Sequence, residues 1–399
     1  MEFLRKQQNK WYASDINLRI FLIGILLLGI NSGILTTTFN NYLNDIFKLG
    51  ETERGFLEFP RELPGALLIV VTGILSIWLM RTWAILVGII SAIGVIGLGF
   101  LSPTIGIMTA WMILWSLGDH LFMPVESAIG LHLAHAGKQG ARLGQISGAR
   151  NLSAIAGAGL VWIIAQTFSG KEMYQILYAV AGIIGLIAAF TFSRIHNDTD
   201  KIPDKKKFVL KKKYTLYYIL NILFGARKQL FLTFGPWVLI TVYHTKPATI
   251  AILIMIASLA GVIFRQVFGY FVDKFGEQKL FIADSIILLI VCAGYIFSVD
   301  VYVLYTLFII DNLMFATRIA RTTYLSKISK DKRDIPATLS MGITMDHIVS
   351  MTVPVAGGLL WHQFGYQSVF MAASIVAVLG LFAALNTNRT IREIQGSHE

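Results

Sequence analysis

The sequence predicts an all-α membrane protein of twelve transmembrane helices, arranged as two pseudo-symmetric six-helix bundles. Three observations lead to this fold class: the composition, the number of long apolar runs, and a weak repeat between the two halves of the chain. Of the 399 residues, 55% are hydrophobic and only 14% are charged, and the mean hydropathy is +0.65. A soluble domain carries about 25% charged residues. The composition therefore argues against a soluble or disordered chain, and the single cysteine argues against a disulfide scaffold.

Twelve apolar runs are long enough to cross a bilayer, which takes about 20 mostly apolar residues. Each is expected to be a helix, because open strands would leave backbone amides unpaired in lipid and the runs lack the alternation of barrel strands. In chain order the predicted spans are Leu18–Thr38, Phe59–Met80, Trp83–Leu101, Thr104–Leu133, Ala141–Thr167, Met173–Ser193, Tyr214–Tyr243, Ala248–Val272, Lys279–Val299, Val301–Thr323, Pro336–Trp361 and Tyr366–Leu385.

A long polar connection separates the sixth and seventh spans. Residues 194–213 contain one proline and two lysine triplets. We interpret them as a solvated cytoplasmic linker, with a contact to lipid head groups as the alternative. This predicts an N-terminal bundle over residues 1–193, a basic linker over 194–213 and a C-terminal bundle over 214–399.

Lysines and arginines are distributed unevenly between alternate loops. If the N-terminus lies inside, the outer segments hold only Lys48, Arg54, Arg61, Lys171 and Lys246. Cytoplasmic loops are enriched in lysine and arginine, so both termini are predicted to be cytoplasmic and the chain to be a multi-pass protein of a bacterial inner (plasma) membrane. The net charge of +11 then reflects insertion topology, and no nucleic-acid partner is expected.

The two halves of the chain carry related patterns. Span five ends in a glycine-rich segment, 153–162, and span eleven ends in a similar one, 352–361; both close on tryptophan. Span four carries Asp119 and Glu126, seven residues apart, and span ten carries Asp311 and Arg318 at the same spacing. Seven residues are nearly two helical turns, so each pair shares one helix face.

The loop after span eight carries a family signature. It reads Gly269, three residues, Asp273, Lys274, one residue, Gly276 and then Lys279. With twelve spans, a central basic linker and the half-repeat, this resembles the major facilitator superfamily of secondary transporters over essentially the whole chain. The resemblance implies two bundles that expose a central site to each side of the membrane in turn, with spans one, four, seven and ten lining the cavity.

Polar and charged residues near the middle of those four spans are candidates for binding a solute. An ionisable group inside a membrane is costly unless it is paired or hydrated, which makes each one a functional hypothesis. The predicted substrate-binding residues are Asn31, Trp115, Asp119, Arg227, Lys228, Phe231 and Asp311. For Asn31 the alternative is a satisfied amide between helices, and for the aromatic residues it is core packing or a lipid-facing position.

Other charges are predicted to pair between helices or to act in gating. Glu126 is expected to pair with Arg150, and Arg318 with Asp346, either as structural ties or as partners that change between states. Asp273 is predicted to belong to a conformational latch on the inner side, with an ordinary loop charge as the alternative. Gly269 is expected to let two helices approach closely.

Proton coupling requires a group whose pKa can move into the working range. The candidates are Asp119, His120, Glu126, Asp346 and His347, and Asp119 is the first choice. Neighbours on a helix diverge by about 100°, so an Asp-His doublet need not act as a unit. Sodium coupling would use similar oxygens and stays an alternative.

The predicted function is secondary active transport of a small organic solute, anionic or zwitterionic, coupled to protons. The alternative with the same fold is export of a drug or metabolite by proton antiport, and the alternative of another class is a membrane enzyme acting on lipid. The sequence lacks a phosphate-binding loop and the CxxC and HExxH metal motifs. We therefore expect no enzyme activity, cofactor or metal, an ion gradient as the energy source, and a monomer whose partners are its solute and the bilayer.

Overall fold

The computed structural model describes residues 2–67, 79–134, 139–196, 210–329, 331 and 334–390. The second half of predicted span two and most of the predicted linker lie outside these described residues. Within them the chain forms helices, which we number in chain order: α1 Glu2–Phe47, α2 Glu51–Ala66, α3 Met80–Phe100, α4 Ile105–His132, α5 Gln139–Thr167, α6 Gly170–Ser193, α7 Thr215–Thr241, α8 Pro247–Phe275, α9 Glu277–Phe297, α10 Val301–Met314, α11 Arg318–Ile328, α12 Asp334–Phe364 and α13 Gln367–Leu385.

The predicted spans correspond to these helices, which confirms the fold class. The structure has 10 helices long and apolar enough to cross a membrane, as far as its described residues go. Predicted span seven forms the 27-residue helix α7, which is not among the ten. Predicted span ten is broken: a 3-10 turn, Phe315–Thr317, separates α10 from α11.

Local chemistry sets several helix ends. The side chain of Thr104 caps α4 by accepting from the amide of Ile107, and Asp300 caps α10 by accepting from the amide of Tyr302 at 2.8 Å. Gly276 joins α8 to α9 with φ at +79°, a conformation that L side chains rarely adopt. This glycine of the loop signature is therefore required by the turn itself.

Residue contacts group the chain into two compact units. Unit 1 comprises the described residues within 1–47, 70–204 and 247–258. Here α1 packs on α5 and α6, and α3 packs on α4 and α6. A Cβ added to Gly157 of α5 would lie 3.0 Å from the backbone of Gly33 in α1, so these glycines allow the two helices to approach closely.

Unit 2 comprises the described residues within 48–69, 205–246 and 259–399. Here α2 packs on α12, α12 packs on α7, and α9 packs on α13. A Cβ on Gly358 of α12 would lie 2.6 Å from the carbonyl oxygen of Glu51, so glycine again permits a close crossing. The predicted division into bundles at residues 194–213 stays a prediction, because residues 197–209 lie outside the description.

Candidate functional site

In unit 1, one arginine interacts with two carboxylates. The Nε of Arg150 on α5 donates to both carboxylate oxygens of Glu126 on α4, at 2.6 and 2.9 Å, so the predicted pair is present. Asp119, two turns earlier on α4, also interacts electrostatically with Arg150. The side chain of Glu126 is 9% exposed, whereas that of Arg150 is 45% exposed. The spacing of seven residues thus directs both carboxylates toward the same basic group.

The neighbours Asp119 and His120 have different surroundings. The hydroxyl of Ser32 on α1 donates to Oδ2 of Asp119 at 2.8 Å. The Nδ1 of His120 lies 2.8 Å from the carbonyl oxygen of Ser116, one turn back on the same helix, and its side chain is buried. The geometry therefore separates these two proton-coupling candidates, as expected for adjacent helical positions.

Two predicted substrate residues of unit 1 lie in its packed interior. Asn31 is completely buried; its amide nitrogen donates to the carbonyl of Ala181 at 2.8 Å, and its oxygen accepts from the hydroxyl of Ser91 at 2.9 Å. It therefore joins α1 to α6 and α3, in agreement with the interhelical alternative. Trp115 is 5% exposed and packs against Phe39, with ring centres 5.5 Å apart. Both side chains act in packing here.

In unit 2, Arg227 and Asp311 are in direct contact, whereas the sequence analysis placed them as separate anchors around a cavity. The Nη2 of Arg227 on α7 donates to Asp311 on α10 at 2.8 Å, and its Nη1 lies 3.4 Å from Asp284 on α9. Arg227 is 2% exposed. A buried guanidinium is tolerable only with such partners, so this ion triad ties three helices together. The expectation failed because helix rotation is not visible in a sequence.

Asp346 is paired with Lys228, and the predicted pair with Arg318 is wrong. The Nζ of Lys228 lies 2.8 Å from both carboxylate oxygens of Asp346, and the two side chains are 18% and 21% exposed. Arg318 is exposed at the start of α11. A Cβ on Gly225 would lie 3.1 Å from the Cα of Asp346. The crossing of α7 and α12 at this glycine brings Lys228 within reach.

Phe231, predicted as a cavity wall, is part of the core of unit 2. It is 3% exposed and lies with its ring centre 5.8 Å from that of Tyr295 and 5.4 Å from that of Phe370. The packing alternative therefore describes it correctly.

A buried polar cluster lies on α2, whose Arg54 and Arg61 were expected in an outer segment. Glu58, completely buried, accepts from Arg54 at 2.6 Å, from Arg61 at 2.7 Å and from Gln229 of α7 at 2.6 Å. One turn further, Glu62 lies 2.9 Å from Nδ1 of His347 on α12. The spacing of four residues between arginine and glutamate on a helical segment was the available signal.

The loop signature shows only part of its expected geometry. Asp273 is exposed and forms no hydrogen bond or ion pair with another described residue, so the latch stays a prediction. A Cβ on Gly269 would meet no described atom within 4 Å, so the expected close helix approach at this glycine is not found. Gly276 is the glycine that the local backbone requires.

Two further charged residues of unit 2 were overlooked. Asp284 is a lone acid within the apolar sequence of α9, and that isolation was a signal for a function inside the membrane. Arg321, near the end of predicted span ten, was counted with the basic residues of the cytoplasmic side, but it is 6% exposed on α11. Its burial follows from the turn at Phe315–Thr317, which sequence periodicity did not reveal.

Apolar helices of bilayer length, with buried ion pairs between them, define an integral multi-pass membrane protein. The sequence profile of the Major Facilitator Superfamily matches residues 20–335 and, in a second match, residues 217–397. The chain belongs to the Major Facilitator Superfamily, a family of secondary transporters. No curated protein sequence matches it significantly.

Solved structures with this fold are similar over nearly the whole chain. A nucleoside transporter, NupG, in a mutant form, has a TM-score of 0.76 at 14% identity and covers 93% of this chain and 99% of its own. A bacterial homologue of the human lysosomal transporter Spinster has a TM-score of 0.73 at 12% identity, with 96% and 98% covered. A D-xylose–proton symporter has a TM-score of 0.72 at 16% identity, with 95% and 98% covered. At these identities the likeness concerns the fold.

Proposed function

We propose that this chain is a proton-coupled secondary transporter that moves a small anionic or zwitterionic organic solute by alternating access. We further propose that it lies in a bacterial inner membrane with both termini in the cytoplasm, as the distribution of lysine and arginine predicts. Family membership supports transport. The similar D-xylose–proton symporter supports a polar solute and coupling to protons.

The sharing of Arg150 by Asp119 and Glu126 carries the proton coupling. With all three side chains ionised, this group holds two negative charges and one positive charge. An ionised carboxylate among membrane helices is costly, and binding a proton removes its charge. We assign the proton to Asp119, because the two hydrogen bonds from the Nε of Arg150 go to Glu126.

Ser32 allows Asp119 to change its protonation state without losing its partner. Its hydroxyl donates to the carboxylate at 2.8 Å. After protonation, the carboxylic acid can donate and the same hydroxyl can accept. Proton uptake would therefore preserve the contact between α1 and α4 while it removes a charge, which fits a group that is loaded and unloaded in each transport cycle.

The pair of Lys228 and Asp346 supports a zwitterionic or anionic solute. Both side chains are partly exposed, and they contact each other through opposite charges at 2.8 Å. A solute with a carboxylate and an ammonium group can replace each partner by its own charge. An anionic solute would take Lys228 and leave Asp346 to be neutralised by a proton.

A second candidate function is export of a cationic solute by proton antiport. The two carboxylates of unit 1 favour it, because a cation and a proton would compete for the same negative charge. The two functions predict opposite effects of an imposed pH gradient on solute movement.

Flux into proteoliposomes tests these proposals. We expect the protein to accumulate an anionic or zwitterionic solute when an inward proton gradient is imposed, and the Asp119→Asn variant to equilibrate the solute without accumulating it. Glu172→Gln, which changes an exposed carboxylate at the start of α6, is the control and should behave like the unmodified protein. Full gradient-driven accumulation by Asp119→Asn would reject the coupling role. Accumulation driven by sodium alone would reject proton coupling.

A further inference from the structure

A small cavity lies inside unit 2, beside the ion triad of Arg227. Its volume is about 40 Å³, and a water molecule needs roughly 10–15 Å³. There is room for a few waters or for one small ion. Its polar lining consists of Arg227, Asp284, Ser285, Thr317 and Arg321.

Arg321 faces this cavity without a bonded partner in the described part of the chain. It is 6% exposed, and no hydrogen bond or ion pair joins it to another described residue. Its guanidinium carbon lies 3.3 Å from the ring centre of Phe224, which covers one face of the group. Asp346 and Asp284 act on it electrostatically without reaching bonding distance. A buried guanidinium without bonded partners is costly, so a hydrogen-bond acceptor in the cavity would stabilise it.

The other polar groups around the cavity indicate which kind of hydrogen-bond acceptor would fit there. The Nε of Arg227 also has no hydrogen-bond partner among the described residues, although its two Nη groups contact Asp311 and Asp284. The hydroxyls of Ser285 and Thr317 already donate to the carbonyl oxygens of Phe281 and Met314. The donors left over belong to guanidinium groups, and these prefer anionic oxygens or halides.

We propose that this cavity binds a small anion, a halide or the carboxylate group of a solute, with Arg321 as its main partner and the Nε of Arg227 as a second donor. The stacking of Arg321 on Phe224 holds the donor edge toward the cavity. Asp284 on the cavity wall opposes the anion and lowers the affinity. The inference rests on the donors of unit 2, so it is independent of the proposed proton coupling in unit 1.

Anion-dependent stability of the full-length protein in lipid nanodiscs tests the proposal. Sodium chloride or sodium acetate replaces sodium gluconate, an anion too large for the cavity, at constant ionic strength. We expect the midpoint of thermal unfolding to rise and saturate with at least one of the two small anions. A rise with chloride alone identifies an inorganic anion, and a rise with acetate identifies a carboxylate.

Three variants test whether the rise in the unfolding midpoint comes from an anion bound in this cavity. Arg321→Gln should abolish the saturable rise, whereas Arg265→Gln, which changes an exposed arginine of α8 in the same unit, should retain it. Asp284→Asn removes the opposing charge and should tighten anion binding by about tenfold, the effect of one neighbouring charge. A saturable rise that is unchanged in Arg321→Gln would overturn the proposal.

A second measurement tests for anion binding if Arg321→Gln does not fold. The chloride-35 NMR line of the unmodified protein should be broadened by exchange with the site, and the broadening should increase in Asp284→Asn. If neither anion stabilises the unmodified protein and no broadening is found, the cavity holds only water and the proposal is wrong.

Discussion

Unit 1 and unit 2 place charges among membrane helices in different ways. In unit 1 two carboxylates share Arg150, whose side chain is 45% exposed. In unit 2 two carboxylates surround Arg227, whose side chain is 2% exposed, and a second arginine lies beside the same cavity. The first group joins two carboxylates to a half-exposed arginine, which is the arrangement that the proposed proton uptake uses. The second is buried, so it suits a structural tie, with the proposed anion site beside it.

The difference arises from one broken helix. Asp119 and Glu126 lie on the uninterrupted helix α4 and share a face, as the spacing predicts. Asp311 and Arg318 have the same spacing, but the 3-10 turn Phe315–Thr317 lies between them. Each 3-10 residue turns about 20° further than an α-helical residue, so three residues rotate the chain by about 60° more. Arg318, after the turn, is exposed, whereas Asp311, before it, contacts Arg227 on α7.

The largest effect is expected from breaking the triad of unit 2. Arg227→Gln leaves the two buried carboxylates without their cation, and removing one partner of a buried pair costs about 3–5 kcal/mol. We expect a large fall in the detergent concentration that unfolds the protein, and a low yield of folded protein. The double variant Arg227→Gln, Asp311→Asn should recover part of the loss, because only one unpaired carboxylate remains.

The corresponding change in unit 1 should cost much less. Arg150→Gln removes a half-exposed guanidinium, and such pairs contribute about 1 kcal/mol or less. The same unfolding measurement should therefore show a small shift. Transport should nonetheless change, because Asp119 and Glu126 both lose the guanidinium with which they interact. Equal destabilisation by Arg150→Gln and Arg227→Gln would contradict the contrast between the two units.

The sequence was sufficient for features that depend on composition and spacing along a straight helix. Apolar runs predicted the helices to within a few residues in most cases, and the pair of Glu126 with Arg150 followed from depth on consecutive spans. Gly33 and Gly157 act as the close-packing glycines that small residues in membrane helices suggest.

The sequence did not predict the contacts that depend on how the helices are rotated relative to one another. The partner of Asp346 is decided by the crossing at Gly225, and that of Arg227 by the orientation of α9 and α10. The burial of Glu58 was not predicted, because a polar segment next to a predicted span resembles a loop end. The burial of Arg321 was not predicted, because the turn between α10 and α11 contains no glycine or proline.

The smallest predicted effect lies at the start of α12, outside the membrane spans. Asp334 accepts from Lys211 at 2.6 Å, from Lys213 at 2.9 Å and from the hydroxyl of Tyr214 at 3.0 Å. These bonds, first of all that from Lys211, hold the pKa of Asp334 well below its usual value. Because the folded-state pKa is lowered, the stabilisation is complete above the unfolded-state value of about 3.9 and is lost as the pH falls further.

Asp334→Asn measures this contribution. Both lysines are more than one third exposed, so we expect a loss of about 0.5–1 kcal/mol or less at neutral pH. The difference from the unmodified protein should stay constant down to about pH 5 and shrink below about pH 4. Asp273→Asn, at an exposed carboxylate without a described ion pair, should show no such pH-dependent difference. A difference for Asp334→Asn that grows on acidification would mean that the two lysines do not stabilise the ionised carboxylate.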